Sequence, residues 1–454
     1  MSENRLEQIA KELVEGAVHA GATAAEALGR EGDEFSVGVR LGKIERLKEA
    51  ASKSLSLRVF LGQRSASAFT SDFAPDSLAK LLRRALEMAR ATSEDPASGL
   101  PEPDLLGQYE GDLALYSDDV RQMTTEQRID MARRAEAAAL EADPRIINSE
   151  GASFEAGVGR KVYVNSLEFS GAYASSYCAV SVTPVAQTNG GPGGNLERDY
   201  WYSVSRRAGA LDSPESVGRR AAQRVLRRLG ARKISTRKVP VVFDPETAAS
   251  LLGHVFEAVR GDSIYRNASF LAGKLGQRVS SENVTVVDDG LRPGGLGSRP
   301  FDDEGIASGV TPVIVKGVLQ NYLLNCYTAR KLGLRTTGNA VRGLAGTPGV
   351  GPKNFYLEAG SNSPEEMIRS LKEGLYVTEL IGFGVNVVTG DYSRGAAGIW
   401  IEQGELAYPV AEITVAGNVG ELLQQIRGVG SDLEFRGPIA APTLLVEGLT
   451  VGGA

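Results

Sequence analysis

Apolar residues near the start of the chain change their spacing, and the change predicts two types of element. Over residues 6–17 they recur at intervals of three and four, which is typical of an amphipathic helix. Over 35–41 and 55–61 they alternate with polar residues, which predicts antiparallel strands on either side of the charged segment 43–50. The first part of the chain is therefore expected to combine a helix with an antiparallel sheet.

A second helical pattern and a change of composition mark the next part of the chain. The spacing predicts a helix over 75–90, and residues 92–112, rich in proline, glycine and acidic side chains, predict a linker or long surface loop. Thr124 and Gln127 have the spacing of a capping box before a further helix. The glycine-rich segment 188–195 has few side chains that can pack, and we predict that it is mobile.

The last part of the chain begins with a short apolar strand and a capped helix. Residues 239–243 are apolar, and Asp244 with Pro245 then favours a helix start for residues 245–260. After that helix, short apolar runs separated by glycine predict mostly strands, including one over 382–390.

These patterns predict the α+β class, with N-terminal mixed α/β lobes followed by a glycine-rich, mostly antiparallel β C-terminal domain. We place the domains at residues 1–110, 111–235 and 236–454. The helix over 245–260 lies near the start of the C-terminal domain. A doubly wound parallel sheet is disfavoured because strands and helices do not alternate regularly.

The composition indicates a globular protein and disfavours several other classes. Hydrophobic residues make up 42% and charged residues 23% of the 454 residues, which is typical of a globular chain that buries a core. The net charge of -6 disfavours a nucleic-acid binder. No segment has the pattern of a signal peptide or a membrane span, so we expect a cytoplasmic protein. Cys178 and Cys326 lie outside any CxxC pattern, so we expect two buried thiols rather than a disulfide or a zinc site.

The helix over 245–260 carries the residues that come nearest to a metal site. His254 and Glu257 lie three positions apart and therefore share one side of the helix. A hydrolytic zinc ion needs three protein ligands and an open position, and the other histidine, His19, is far away in the sequence. We favour a plain polar role for His254 on a half-exposed face, and keep His254 with Glu257 as an alternative hydrolytic pair.

Four segments in the second half of the chain resemble one protein family. They are GDSIYRNASFLAGKLGQRVSSENVTVVDDG at 261–290, FDDEGI at 301–306, VIVKGVLQNYLLNCYTARKLGLRTTGNA at 313–340 and PTLLVEGLTVGG at 442–453. On these segments the chain resembles the TldD/PmbA family, also called modulator of DNA gyrase proteins, along essentially its whole length. No single segment is a general motif, and together they are highly specific.

The resemblance also implies a branch of the family. In the TldD branch a helix with the motif HExxxH supplies two zinc-ligating histidines and a catalytic glutamate, and a cysteine near the C-terminus completes the site. Matched without a gap through the shared GD and VVDDG sequences, the first histidine falls at Leu252, the glutamate at Gly253 and the second histidine at Glu257, so none of the three is kept. Segment 435–445 has no cysteine either. The chain therefore resembles the PmbA branch, also called TldE, whose members pair with a TldD-like subunit.

The resemblance implies a function within a two-subunit protease. TldD and TldE together form a metalloprotease that cleaves unfolded peptides, in which the catalytic subunit supplies the metal and the TldE subunit helps to enclose the chamber. We therefore expect a non-catalytic TldE/PmbA-like subunit, with zinc in a TldD-like partner and no catalytic residue, metal or cofactor in this chain. The alternative is a self-standing homodimer that binds peptides without cutting them. No membrane partner is expected.

Two charged regions have plainer explanations than a binding site. The acidic groups at 288–289 and 302–304 are each followed by glycine, which favours turns between strands over a divalent-metal site. The stretch from Arg219 to Lys238 holds nine basic residues and no acidic one. We favour a solvated helix face with a linker there, and keep a docking patch for an acidic partner as the alternative.

Two further segments are weighed in the same way. Thr337, Gly338 and Asn339 lie in a long glycine-rich loop, residues 335–354, that resembles the site-facing region of the family. They are candidates for a substrate-side loop, and a plain hairpin connection fits the sequence equally well. Trp201, with a tyrosine on each side, is predicted to lie in an ordinary strand rather than to stack on a ligand.

Overall fold

The computed structural model describes residues 5–188, 195–343 and 346–453. Most of the segment predicted to be mobile, and two residues of the predicted substrate-side loop, lie outside the described residues. Within the described residues, the helices are α1 (Arg5–His19), α2 (Pro75–Ala91), α3 (Asp118–Gln122), α4 (Thr125–Leu140), α5 (Pro214–Leu226), α6 (Pro245–Val259), α7 (Gly261–Tyr265), α8 (Cys326–Leu332), α9 (Pro364–Arg369) and α10 (Val419–Gln424).

The N-terminal and central parts of the chain share one antiparallel sheet. Its strands are β1 (Ala24–Arg40), β2 (Lys43–Leu61), β3 (Arg64–Thr70), β4 (Ile146–Asn165), β5 (Ser170–Gln187), β6 (Leu196–Arg198) and β7 (Trp201–Ser205). They follow the order β3-β2-β1-β4-β5-β6, and β7 also pairs with β5. The predicted boundary at residue 110 separates the helices of the two lobes, but the sheet continues across it.

The strand predicted over residues 55–61 was too short, because β2 begins at Lys43. Residues 43–50, expected to lie between two strands, form the first part of β2 and pair with β1. These residues are exposed, apart from a half-buried Ala50, so neither face of the strand shows an apolar stripe. Alternation is a signal of a half-buried strand, and it is absent where a hairpin extends beyond the core.

The C-terminal part contains two larger sheets and a short ribbon. Its strands are β8 (Arg237–Phe243), β9 (Val286–Asp289), β10 (Val310–Val315), β11 (Val318–Leu319), β12 (Ala340–Val341), β13 (Gly349–Val350), β14 (Asn354–Leu357), β15 (Glu373–Ile381), β16 (Asp391–Glu402), β17 (Glu405–Asn418), β18 (Ile426–Val429), β19 (Ile439–Ala440) and β20 (Leu444–Gly452). One sheet has the order β11-β10-β9-β14-β19, and the other has the order β17-β16-β15-β8-β20-β18; β12 pairs with β13.

The pairing confirms the predicted fold class. Helices and strands are mixed, and the sheets are antiparallel apart from the β8–β15 and β14–β19 pairs. The predicted strand over 382–390 was wrong, because this segment is the loop between β15 and β16. Gly382 and Gly390 have positive φ angles of 81° and 85°, which break an extended chain. No helix in the described part of the chain is long and apolar enough to cross a membrane.

A buried ionic cluster joins the first sheet to the C-terminal part. The carboxylate of Glu26 on β1 accepts hydrogen bonds from Arg58 Nη1 at 3.2 Å, Arg342 Nη1 at 2.7 Å and Tyr163 Oη at 2.6 Å. Glu26 is 1% exposed, and the side chain of Arg342 is fully buried. Because buried charges need their partners, this cluster fixes the orientation of the N-terminal sheet against the C-terminal part.

Candidate functional site

Helix α6 forms where the sequence predicts it. Asp244 accepts a hydrogen bond from the backbone N–H of Thr247 at 2.9 Å, and Pro245 occupies the first helical position. The apolar face, which includes Leu252 and Phe256, packs into the largest hydrophobic core of the C-terminal part. The cap and the core together fix which side of α6 faces outward.

The three positions that match the TldD zinc motif carry no set of metal donors. Leu252 is 3% exposed and belongs to the core. Gly253 has no side chain, and a Cβ atom built there would lie 3.9 Å from Ile439 Cδ1. Glu257 is paired with Arg260 at 3.0 Å. A hydrolytic zinc ion takes three donors from histidine, cysteine or carboxylate, so the residues at these positions do not fit one.

The two cysteines do not add metal ligands to the residues of α6. Cys178 lies on β5 and Cys326 at the start of α8, and both are buried and free. Burial raises the pKa of the Cys178 thiol to about 12, and it raises the pKa of Cys326 further, assisted by the negative charge of Glu304. Among the described residues, no three His, Cys, Asp or Glu side chains lie where they could share a metal ion.

The two residues of the alternative hydrolytic pair, His254 and Glu257, have different neighbours. Burial, together with the nearby charge of Arg394, lowers the pKa of His254 to about 4. Its Nε2 atom has no hydrogen-bond partner among the residues that the structure describes. Glu257 bonds to Arg260 instead of His254. A general base works best with a pKa near the working pH, so this geometry disfavours the pair. The ring of His254 packs against that of Tyr392, with 6.2 Å between the ring centroids, and both interpretations of His254 stay predictions.

The three candidate residues of the predicted substrate-side loop differ in their burial and contacts. Asn339 is fully buried, and its amide donates to Asp288 at 2.7 Å and to the carbonyl of Gly351 at 3.0 Å. Its role is therefore to hold neighbouring loops together. Thr337 is half-buried and Gly338 is buried, and a substrate-side role stays a prediction for both.

The acidic clusters act through backbone amides. Asp302 Oδ1 accepts from the N–H groups of Glu304 and Ile306, and Oδ2 accepts from Ala340. This arrangement agrees with the turn interpretation. Its neighbour Asp303 pairs with Lys161 of β4, so the same turn also contacts the first sheet.

The basic stretch from Arg219 to Lys238 has a role that neither interpretation anticipated. Arg224 Nη1 lies 3.5 Å from Asp244, the residue that caps α6. Arg228 Nη2 lies 2.7 Å from Glu379 on β15. Part of the stretch therefore joins α5 to the C-terminal part through ion pairs. The sequence pattern did not indicate these pairs, because some of their partners are distant in sequence.

A cleft of about 460 Å³ lies between α5 and the N-terminal half of α6. One wall carries Arg220 and Arg224 of α5 and its C-cap residue Arg227, and Trp201 of β7 lies beside them. The ring of Trp201 is 4% exposed, and the guanidinium carbons of Arg220 and Arg224 lie 4.0 and 5.1 Å from its ring centroid. Trp201 lies in a strand, as predicted, but it also supports this basic wall.

The opposite wall of the cleft is acidic and includes part of α6. It carries Glu246 of α6 and Glu365 of α9, and the edge strand β19 also lines the space. Burial and the nearby Asp244 raise the pKa of Glu246, whose carboxylate accepts from Tyr202 Oη at 3.3 Å. The sequence pattern missed this cleft, although the spacing of the three arginines by four and three positions indicates one basic helix face.

Sequence comparisons match almost the whole chain to one family. The PmbA/TldA metallopeptidase domain 1 matches residues 25–89, the central domain matches 118–229 and the C-terminal domain matches 236–453. Metalloprotease PmbA of Escherichia coli O157:H7 is 39% identical over 419 residues, which cover 92% of this chain and 90% of that protein. The Metalloprotease PmbA homolog of Haemophilus influenzae is 37% identical over 452 residues, which cover 99% of this chain and 97% of that protein.

Solved structures share the fold along the full chain. A protein of Bacteroides thetaiotaomicron named for modulation of DNA gyrase superposes with a TM-score of 0.91 at 28% identity, covering 100% of both chains. TldE from Thermococcus kodakarensis superposes with a TM-score of 0.88 at 22% identity, covering 98% of this chain and 100% of that one. At this lower identity the second likeness shows the fold alone.

Proposed function

The chain belongs to the PmbA/TldD metallopeptidase family, and we propose that within it the chain is a TldE/PmbA-like subunit without a catalytic site of its own. The observation that supports this most strongly is the residue set on α6. Leu252 is in the core, Gly253 lacks a side chain and Glu257 is held by Arg260. A chain with these residues needs a partner to supply zinc, and a TldD-like subunit is the partner that the family resemblance implies.

The proposed substrates are unfolded peptides, and the proposed compartment is the cytoplasm. An extended peptide can add to an exposed sheet edge, where main-chain hydrogen bonds give affinity with little sequence preference. The short edge strand β19 lies beside α6 and pairs with β14 on one side only. This chain would then contribute peptide-binding surface, while the catalytic step takes place in the partner.

Reconstitution tests the proposal. The purified chain, a purified TldD-like subunit and a mixture of both are each given an unfolded fluorogenic peptide. We expect no cleavage by this chain alone, and cleavage by the mixture that a chelator removes. Cleavage by this chain alone, at a rate that the TldD-like subunit leaves unchanged, would contradict the proposal.

Two controls separate this proposal from the alternatives. Native mass spectrometry of the mixture should show one copy of each subunit in the same complex, whereas a homodimer that does not exchange would favour the self-standing peptide binder. If this chain does cleave alone, His254→Ala decides whether the pair of His254 with Glu257 is responsible. A hydrolase that uses this pair would lose its activity on that substitution.

A further inference from the structure

We propose that the cleft between α5 and α6 binds the carboxyl end of a peptide, with the terminal carboxylate placed at Arg220 and Arg227. This inference rests on the proposed function only in taking peptides as the ligands. It adds a specific recognition site on this chain, and it predicts that a free peptide carboxylate is recognised without any metal.

The basic wall is built by helical spacing. Arg220 and Arg224 lie at positions i and i+4 of α5, and Arg227, the C-cap residue with helical backbone angles, follows at i+7. The three side chains therefore lie on one face. Like charges at such spacing repel each other unless anions lie between them. All three line the cleft, which is where an anion could approach them together.

One of these arginines is already committed to neighbours. Arg224 Nε lies 3.2 Å from Asp199, Nη1 lies 3.5 Å from Asp244, and Nη2 donates to the carbonyl of Thr378 at 3.2 Å. Arg436, which also lies over the ring of Trp201, is committed as well, since it pairs with Glu434 at 2.7 Å and Asp212 at 3.6 Å. These two residues hold the cleft together rather than offering free donors.

The other two arginines, Arg220 and Arg227, have guanidinium N–H groups without a close carboxylate partner. Within the described part of the chain, Arg220 has no carboxylate within 4.0 Å, and its guanidinium stacks on Trp201. Arg227 reaches Asp244 only at 3.9 Å, and its Nε and Nη2 atoms are buried without a hydrogen-bond partner among the described residues. Guanidinium groups bind carboxylates through paired N–H donors, so these two residues can receive one between them.

The acidic wall selects the kind of anion. Glu246 and Glu365 face the same space and would repel a phosphate group, which carries nearly two negative charges. A peptide end carries one negative charge together with N–H groups, which carboxylates can accept. The side chain of Ile439 adds apolar surface for the terminal residue.

The cleft is continuous with the helix face that matches the zinc motif. Glu246 and Ala249 line it, and Gly253 lies one turn further along the same face of α6. Ile439, which lines the cleft, is also the residue nearest to a Cβ built on Gly253. A peptide held by its carboxyl end would therefore lie along the part of α6 where a TldD-like chain would carry its catalytic glutamate, at the position of Gly253 here.

Fluorescence anisotropy with two matched probes tests the site. One probe is an N-terminally labelled hexapeptide of alanine and leucine with a free carboxylate, and the other is the same peptide with a C-terminal amide. On the full chain we expect amidation to raise the Kd about tenfold or more, because charge-assisted hydrogen bonds to the carboxylate are lost. Arg220→Gln and Arg227→Gln should each weaken binding of the free acid and leave the Kd of the amide unchanged.

Arg219→Gln is the matched control, since Arg219 lies on the same helix, is exposed and does not line the cleft. It should leave both Kd values unchanged. Equal Kd values for acid and amide, or equal losses for Arg219→Gln and Arg220→Gln, would overturn the proposal. Competition by inorganic phosphate as strong as that by the unlabelled acid peptide would also overturn it. If acid and amide bind equally while a mixture with a TldD-like subunit still cleaves peptides, only this inference fails and the proposed function stands.

Discussion

Glu26→Gln should destabilise the contact between the N-terminal sheet and the C-terminal part more than any exposed substitution. The carboxylate of Glu26 is the shared partner of Arg58 and Arg342, whose side chains are 4% and 0% exposed. The amide keeps the shape of the side chain and removes its charge, so two buried guanidinium groups lose their counter-charge. Breaking a buried ion pair in this way costs roughly 3–5 kcal/mol.

Urea unfolding followed by tryptophan fluorescence measures this loss. Trp201 reports on the central lobe and Trp400 on the C-terminal part, because they lie on β7 and β16. With a urea dependence of about 3 kcal/mol per M, the midpoint should fall by roughly 1 M or more. Glu45→Gln is the control, since Glu45 is exposed and lies 3.9 Å from Arg40, a geometry that contributes under about 1 kcal/mol. A fall no larger than that of the control would refute the reasoning.

Three other predictions follow from single contacts. Asp244→Ala should lower the free energy of unfolding by at least about 1–2 kcal/mol in urea, since it removes the cap of α6, and an unchanged midpoint would contradict the capping role. Burial and Asp302 raise the pKa of Glu304 to about 7. The native state therefore holds a proton that the unfolded state releases, and stability should fall as pH rises from about 4.5 to about 7. Glu304→Gln should reduce the dependence of the free energy of unfolding on pH between pH 5 and 8. An unchanged dependence would contradict Glu304 as its source. Cys178 and Cys326 should resist a thiol reagent in the native state and react in urea, and rapid native labelling would contradict their burial.

Local signals in the sequence predicted many elements well. Thr124 with Gln127, and Asp244 with Pro245, mark helix starts, and the structure contains both caps. These signals need only a few neighbouring residues, because a cap satisfies backbone groups within one turn. The apolar face of α6 was predictable for the same reason, since its spacing follows from the helix itself.

Features that depend on distant contacts were not predictable from these patterns. The first half of β2 lacks an apolar stripe, so only its pairing with β1 defines it as a strand. The cleft depends on where α5 lies relative to α6 and on which arginines form ion pairs with Asp199 and Asp244. The residue set at positions 252, 253 and 257 was predicted from the family resemblance, and the structure adds what each residue contacts. The domain boundaries remain predictions.

Zinc content of the purified full-length chain is the most direct measure of whether this chain carries a catalytic metal. The chain is dialysed against metal-free buffer, zinc is determined by mass spectrometry, and a purified TldD-like subunit is treated in parallel. We expect far less than one zinc per chain here and about one in the TldD-like subunit, because Leu252, Gly253 and Glu257 do not form a zinc site. One retained zinc per chain, lost on Glu257→Ala, would contradict this account.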